Sequence, residues 1–271
     1  MGHVISFLNL KGGVGKTSSC HHLAGTFARM GKRVLLLDND PQASLTQGFF
    51  GPAAIGAVEA GESMAALYDE DATPSAESLV RPTGIEGIWI VPGSPHLAAV
   101  NTTPAREWLP LEGGLRDFLV PIRDSFDLIL VDNPPNLYLC ARGSLVASDY
   151  LVTPLQAEDY GAQGLGPVRS AVGAVQAGPN PDLRLAGYLV TMYDQRLAVH
   201  QSYDAILRES FGQAVFAARI PRAKDFVEAV AARVPVSHFK PRSAAAKAVQ
   251  AVANELLVRL DSEDMDIRGV A

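Results

Sequence analysis

Cysteine is scarce in this chain. Its 271 residues hold two, Cys20 and Cys140. That is too few for a disulfide framework, the spacing is not that of metal ligands, and a reducing compartment is the natural setting. Long apolar runs are missing as well: none approaches the roughly 18 residues of a membrane-spanning helix. No leader segment is expected, because the N-terminus enters an apolar, strand-like run almost at once. Met1-Gly2-His3-Val4-Ile5-Ser6 formally matches an acylation pattern but reads as that first strand. Positive charge is not in excess, with 23 Lys and Arg against 29 Asp and Glu and a net charge of −6. This argues against a domain that is basic on every side, although a local basic patch remains compatible with it. There is no internal repeat. His21 and His22 are adjacent, so on a helix they point in different directions and make a poor metal pair; packing at the surface or an edge is expected.

What the chain does have stands near its start. Residues 9–17 read Asn9-Leu10-Lys11-Gly12-Gly13-Val14-Gly15-Lys16-Thr17, directly after the apolar run Val4-Ile5-Ser6-Phe7-Leu8. A strand running into a glycine-rich loop that ends in Gly-Lys-Thr is a phosphate cradle. Glycines let consecutive backbone N–H groups turn inward onto phosphate oxygens. Lys16 is placed to reach the β- and γ-phosphates, and the Thr17 hydroxyl to ligate Mg²⁺. The strict Gly-x-x-x-x-Gly-Lys-Ser/Thr pattern needs glycine at position 10. This chain has Leu10, and it carries a second lysine, Lys11, at the loop mouth.

Two further strand-like runs end in acids. Val34-Leu35-Leu36-Leu37-Asp38 leads into Asn39-Asp40-Pro41-Gln42, and Leu128-Ile129-Leu130-Val131-Asp132 leads into Asn133-Pro134-Pro135. With these three motifs in this order, the chain resembles the deviant-Walker ATPases of the ParA/Soj type, with MinD as a more distant relative. The similarity covers most of the chain and continues through Gln156–Leu165, Leu189–Asp194 and Ile220-Pro221-Arg222.

The resemblance implies ATP and Mg²⁺ as cofactors, with Gly12, Gly13, Val14, Gly15, Lys16, Thr17 and Ser18 around the phosphates. It implies that Lys11 reaches across an ATP-bound homodimer to the partner's nucleotide, where it offsets the charge of two facing triphosphates. ADP offers less for that lysine to hold, so dimerisation would follow the nucleotide. Asp40 matches the residue that orients or activates the attacking water. Asp132 binds Mg²⁺ through a water, and Asp38 contributes to the Mg²⁺ shell or positions the loop. Pro134-Pro135 stiffens the segment where a γ-phosphate switch is expected. Met192 or Tyr193, with Pro221 and Arg222, would flank the adenine. Neither Asn133 nor Asn136 receives a role.

By the same resemblance, basic residues form a non-specific DNA surface across the dimer. Arg196 falls on one such position. A second, three residues after Arg222, holds Asp225 here, a reversal of charge, and the adjacent Lys224 can substitute. Lys240, Arg242 and Lys247 would widen the patch, with Arg208 and Arg219 as further candidates. The implied function is slow, partner-stimulated ATP hydrolysis that segregates a plasmid or chromosome with a ParB-type partner, in the cytoplasm and on the nucleoid. Alternatives are a relative that positions a protein cargo, a MinD-like membrane-surface ATPase and a small-molecule enzyme of the superfamily. The MinD-like reading expects a basic amphipathic C-terminal helix, whereas Asp261-Ser262-Glu263-Asp264-Met265-Asp266 would be repelled by an anionic membrane. An iron–sulfur role of the nitrogenase iron protein kind lacks its cysteine pattern.

Strand-like and helix-like stretches alternate from end to end, which predicts an α/β fold: a mostly parallel twisted sheet with helices on both faces. Beyond the motif strands, strands are expected at 88–91, 150–153, 185–191 and 215–220. Helices are expected from Lys16 to a stop at Gly31, and at 115–123, 137–147, 164–176, 200–211, 225–232 and 243–260. The 49–87 stretch reads as a surface excursion with one or two short helices. The whole, 1–271, reads as a single ATPase domain whose acidic end, about 261–271, is frayed.

Overall fold

The computed structural model describes residues 2–102, 107–158 and 165–262. The expected fraying of 263–271, and the 159–164 part of the Gln156–Leu165 motif, lie outside the described residues. Seven strands form one sheet: β1 His3–Phe7, β2 Val34–Asp38, β3 Arg81–Pro82, β4 Ile88–Val91, β5 Leu128–Asp132, β6 Tyr150–Gln156 and β7 Arg184–Thr191. Their order is β3-β4-β2-β5-β1-β6-β7, and every neighbouring pair is parallel except β3 with β4. The helices in chain order are α1 Lys16–Arg29, α2 Ser44–Phe50, α3 Pro52–Ile55, α4 Ala76–Leu79, α5 Leu97–Val100, α6 Gly114–Leu119, α7 Leu139–Ala147, α8 Leu165–Gln176, α9 Ala198–Phe211, α10 Lys224–Ala231, α11 Val236–Phe239 and α12 Ala244–Asp261.

The central strands are apolar throughout because both of their faces are covered. Ile5, Phe7, Leu36 and Leu130 face one core with Leu23 and Phe27 of α1 and Val249 and Leu256 of α12. Their chain neighbours Val4, Leu35, Leu37, Ile129 and Val131 face the other, against Leu115 of α6 and Leu139 of α7. The chain runs from β1 outward to β2 and the β3–β4 edge, then returns through β5 and passes β1 to reach β6 and β7. The C-terminal ends of β2, β5 and β1 therefore lie side by side, at the position where open α/β sheets bind ligands.

Three expectations need correction. The 215–220 segment is no strand: it touches the sheet at isolated bridges, Tyr188 with Val215 and Tyr193 with Pro221. Side chains of α12 take its ladder groups. The Glu255 carboxylate accepts the N–H groups of Ala217 and Ala218, both at 2.8 Å, and the Arg259 guanidinium donates to the Val215 carbonyl at 3.1 Å. The 49–87 excursion is not all surface, since Met64 to Tyr68 form a buried 3₁₀ turn under the sheet. The helix expected over 115–123 ends at Leu119, because Pro121 cannot continue it.

Candidate functional site

The loop between β1 and α1 is held from below and left open above. Asn9, itself buried, donates from Nδ2 to the Pro154 carbonyl at 2.7 Å and accepts the Lys11 N–H at 3.0 Å. Thr191 at the end of β7 donates its hydroxyl to the Val14 carbonyl at 2.7 Å. Gly13 and Gly15 sit at φ 76° and 85°, left-handed backbone that favours glycine. Gly15 precedes α1 without a side-chain cap, and the first turn of α1 has no acid. The positive end of the helix dipole and its free N–H groups are thus available to an anion.

Lys16 is almost fully buried, and its Nζ donates to the carbonyls of Asn9 at 3.1 Å and Lys11 at 3.3 Å. Burial draws its ammonium below the usual lysine range, against the attraction of Asp132 and Asp40. Lys11 is different. Its Nζ lies at the lip, 3.4 Å from Glu158, with both side chains well exposed.

Two carboxylates meet under the loop. Asp38 and Asp132 end adjacent strands in register, and neither has any exposed surface. Asp38 Oδ2 accepts the Thr46 N–H at 2.7 Å and the Thr46 hydroxyl at 2.6 Å, whereas its Oδ1 has no partner. Thr46 is fixed in turn, its hydroxyl oxygen accepting the Gly93 N–H at 3.0 Å. Neither oxygen of Asp132 has a partner of ordinary hydrogen-bond geometry. Burial pushes Asp132 well above the carboxylate range, helped by the Asp38 charge and opposed by the Thr17 hydroxyl and Lys16. Burial raises Asp38 to about 7, against the two Thr46 hydrogen bonds. Three buried carboxylate oxygens without partners, beside a threonine hydroxyl, form a site for a hard divalent cation. Among the described residues no group of three or more His, Cys, Asp or Glu is set to hold a metal. The remaining ligands of a cation here would be phosphate and water oxygens, which suits Mg²⁺.

The raised Asp38 has a measurable consequence. Between about pH 4 and pH 7 the folded chain keeps a proton that the unfolded chain has lost, so this group makes stability fall as pH rises through that window. Without nucleotide or Mg²⁺, Asp38→Asn is expected to flatten the decline of the urea midpoint from pH 4 to 7 relative to wild type. Parallel profiles would contradict the assignment.

Asp40 lies just past the strand end, partly exposed, with Oδ1 accepting the Gln42 N–H at 2.9 Å. Between the two aspartates, Asn39 is buried and donates to Asn133 Oδ1 at 3.0 Å and to the Cys140 carbonyl at 2.8 Å. Its own Oδ1 accepts the Tyr68 hydroxyl at 3.0 Å. Asn133 donates to the Phe7 carbonyl at 3.2 Å. These amides lock the ends of β1, β2 and β5 together. Sequence reading passed over Thr46, Asn133 and Tyr68. For Thr46 and Tyr68 the residue string holds no signal; Asn133 was visible beside Asp132, but its amide geometry was not.

Beside the loop lies an apolar cavity of about 450 Å³ that reaches from Gly15 and Ser18 past Met192 to Pro221 and Arg222, with Phe226 and Val230 of α10 on its far side. Its volume and lining suit a flat heteroaromatic base. Met192 takes a left-handed backbone, φ 51°, and its sulfur lies 2.9 Å from the Gln156 amide. Of the two candidates Met192 lines the cavity. The Tyr193 ring instead stacks under Arg219, whose guanidinium carbon is 5.1 Å from the ring centre.

The cationic candidates are scattered in their engagement. Arg196 is highly exposed and grips Asp194 with both arms, at 2.9 and 2.7 Å. Lys224 is highly exposed, 3.7 Å from Glu228. Lys240 is held by Asp225, at 2.9 Å, and by Glu228. Arg242 and Lys247 are exposed. Arg208 and Arg219 both bind the buried Asp204 and so brace the fold. The histidines depart from expectation, since both are buried. His22 Nδ1 accepts the Val236 N–H at 3.1 Å, and burial holds His21 down to about 4. Among the described residues no helix is long and apolar enough to cross a membrane.

A protein-family profile described as "AAA domain" (AAA_31) matches residues 2–185. The "Chromosome-partitioning ATPase Soj" of Thermus thermophilus is 36% identical over 256 residues, covering 94% of this chain and 96% of the relative. Among solved structures, cobyrinic acid a,c-diamide synthase from Mycobacterium smegmatis with bound ADP and magnesium superposes with a TM-score of 0.78. It is 28% identical, and the match covers 97% of this chain and 96% of that one. A putative plasmid partition protein from Borrelia burgdorferi bound to AMPPNP gives a TM-score of 0.79 at 19% identity, over 96% and 100% of the two chains, a likeness of fold.

Proposed function

The chain belongs to the Soj/ParA family of ATPases, and from that premise we propose that it binds ATP with Mg²⁺, closes into a homodimer around the nucleotide, and hydrolyses it slowly while bound to DNA. The observation that carries this reading is the pair of buried, in-register carboxylates with unpartnered oxygens, directly beneath an uncapped helix N-terminus and a buried lysine. An anion above and a cation below are both provided for. The nucleotide phosphates would lie on the N–H groups of Gly12 to Thr17 with Lys16 against them, and the base in the Met192–Pro221 cavity. Thr17, Asp38 and Asp132 would hold Mg²⁺, which neutralises charge on the β- and γ-phosphate oxygens when bound. Asp40 keeps one carboxylate oxygen open for a water, and orienting that water is its role. Lys11 would leave Glu158 for the phosphates of the partner subunit.

In this reading the chain is one ATPase domain of the cytoplasm, associated with the nucleoid. A ParB-type protein or cargo adaptor stimulates turnover, and a plasmid or chromosome is the cargo. Arg196, Lys224, Lys240 and Arg242 are the DNA-contact candidates. Arg196 and Lys224 are the most exposed of the paired cations, and Arg196 is held by Asp194 through both arms of its guanidinium.

Retention on non-specific duplex DNA with ATP, ADP or no nucleotide, at two salt concentrations, tests the reading. ATP alone is expected to give retention, and affinity should fall by roughly 0.9 log units per tenfold salt for each phosphate contact. Retention independent of nucleotide would contradict the reading, and rapid turnover without DNA or partner would favour a small-molecule enzyme instead. Arg196→Glu is expected to weaken DNA retention about tenfold or more while leaving ATP-dependent dimerisation intact. An unchanged gel shift removes Arg196 from the DNA surface.

A further inference from the structure

Asp38 and Asp132 end adjacent strands in register, yet they are held in opposite ways. Neither Asp132 oxygen has a partner of ordinary hydrogen-bond geometry. Asp38 is clamped on one side only. Its Oδ2 takes both the N–H and the hydroxyl of Thr46, at 2.7 and 2.6 Å, and its Oδ1 takes nothing. The clamp comes from α2, outside the strand.

The Thr46 hydroxyl is not free to turn away. A hydroxyl has one proton to give. Its oxygen here accepts the Gly93 N–H at 3.0 Å, which leaves that proton for Asp38. Gly93 lies just past β4, on the side of β2 away from Asp132. The helix that carries Thr46 is itself seated twice. The Phe49 ring lies against His21 of α1, with ring centres 4.4 Å apart, and Arg233 donates from Nη1 to the Gln47 carbonyl at 3.3 Å.

Gly93 also contributes by what it lacks. Its backbone is not among the left-handed glycines, so space alone accounts for the residue type. A Cβ there would lie 2.7 Å from the Asp38 carbonyl oxygen, 2.8 Å from the carboxyl carbon and 3.1 Å from Oδ1. A methyl group would push on the carboxyl and cover its open oxygen.

We propose that Thr46 and Gly93 are positioning residues of the cation site. Thr46 fixes one oxygen of Asp38. Gly93 orients the Thr46 hydroxyl and keeps the other oxygen uncovered. Together they set how tightly Mg²⁺ is held with the nucleotide. The inference rests on the preceding reading for one thing, that Asp38 stands beside Mg²⁺. Both residues act through Asp38. A carboxylate already fixed in one rotamer has less freedom to lose when a cation arrives. Partners of this kind behind a metal ligand are worth about 10–100-fold in metal affinity.

Release of a fluorescent ADP analogue from the full chain, followed against Mg²⁺ concentration at one pH, tests this without any turnover. The readout is the Mg²⁺ midpoint at which release slows. Thr46→Val keeps the shape and loses the hydroxyl, and it is expected to raise the midpoint about 10–100-fold. Thr46→Ser should return it to near the wild-type value, and Gly93→Ala should raise it. In EDTA both Thr46 variants should release the analogue as wild type does, which separates an altered cation site from an altered fold. Asp38→Asn should raise the midpoint on its own, and adding Thr46→Val to it should change nothing further, because the second residue acts through the first. A wild-type midpoint for Thr46→Val overturns the proposal. So does a Thr46→Ser as weak as Thr46→Val, or a full additional loss in the Asp38→Asn background. A wild-type midpoint for Gly93→Ala removes Gly93 from it. If wild-type release ignores Mg²⁺, or Asp38→Asn matches wild type, the preceding reading of the carboxylate pair fails and takes this inference with it.

Discussion

Asp40→Ala is expected to lower ATP hydrolysis by at least 100-fold while leaving Mg²⁺–ATP affinity within a few-fold of wild type, since a positioned acid–base group contributes about 10²–10⁴. Geometry separates its role from that of Asp38. Asp38 is fully buried and committed to Thr46 through two short hydrogen bonds, which fixes it as part of the wall of the cation site. Asp40 is partly exposed and uses one oxygen for the Gln42 N–H. It is close enough to the phosphate loop to act on the Lys16 charge, and an attacking water must sit in line with the γ-phosphorus there. The variant should therefore bind nucleotide and accumulate the ATP-bound dimer. Phosphate release and calorimetric affinity, measured on the same preparation, check the two halves. Wild-type turnover would show that Asp40 has another role.

Lys11→Ala should abolish ATP-dependent association while sparing nucleotide binding by the monomer. Asn9 fixes the Lys11 N–H, and Lys16 binds the Lys11 carbonyl. The backbone is thereby pinned, but the side chain is tied only to an exposed glutamate at 3.4 Å. A surface ion pair of this kind is worth little and releases the lysine readily. In a two-fold dimer each protomer donates one such lysine, so one substitution removes two contacts. At about 1.5–3 kcal/mol per charged hydrogen bond, the loss is roughly 3–6 kcal/mol, or about 10²–10⁴ in the dimer dissociation constant. Sedimentation equilibrium with a non-hydrolysable analogue measures it, and an unchanged constant would leave Lys11 as an ordinary loop residue.

Much of this was legible in the residue string, for a physical reason. Phosphate loops and acidic strand ends are local: Gly13, Gly15 and Lys16 follow β1 within one loop, and Asp38 and Asp132 end their strands, so spacing alone picks them out as candidates. The parallel sheet was legible too, since Leu35, Leu36 and Leu37 in unbroken sequence make sense only with both faces covered. What escaped reading depends on contacts distant in sequence. Thr46 holds Asp38 from a helix that begins after the strand has ended. The 215–220 segment has strand composition, but Glu255 and Arg259 from a helix some 40 residues later claim its backbone groups. His21 and His22 looked like edge residues because adjacency spoke against metal binding. It said nothing about α2 and α10, whose Phe49 and Phe226 rings cover them at 4.4 and 4.9 Å.

The nucleotide dependence of the protein's mass in solution tests the central claim most directly. Sedimentation velocity on the wild-type chain, with Mg²⁺–AMPPNP, with Mg²⁺–ADP and without nucleotide, should give a dimer in the first condition and monomers in the other two. A monomer with saturating AMPPNP, or a dimer of equal strength in all three, would contradict a lysine that answers to the triphosphate of a twin subunit.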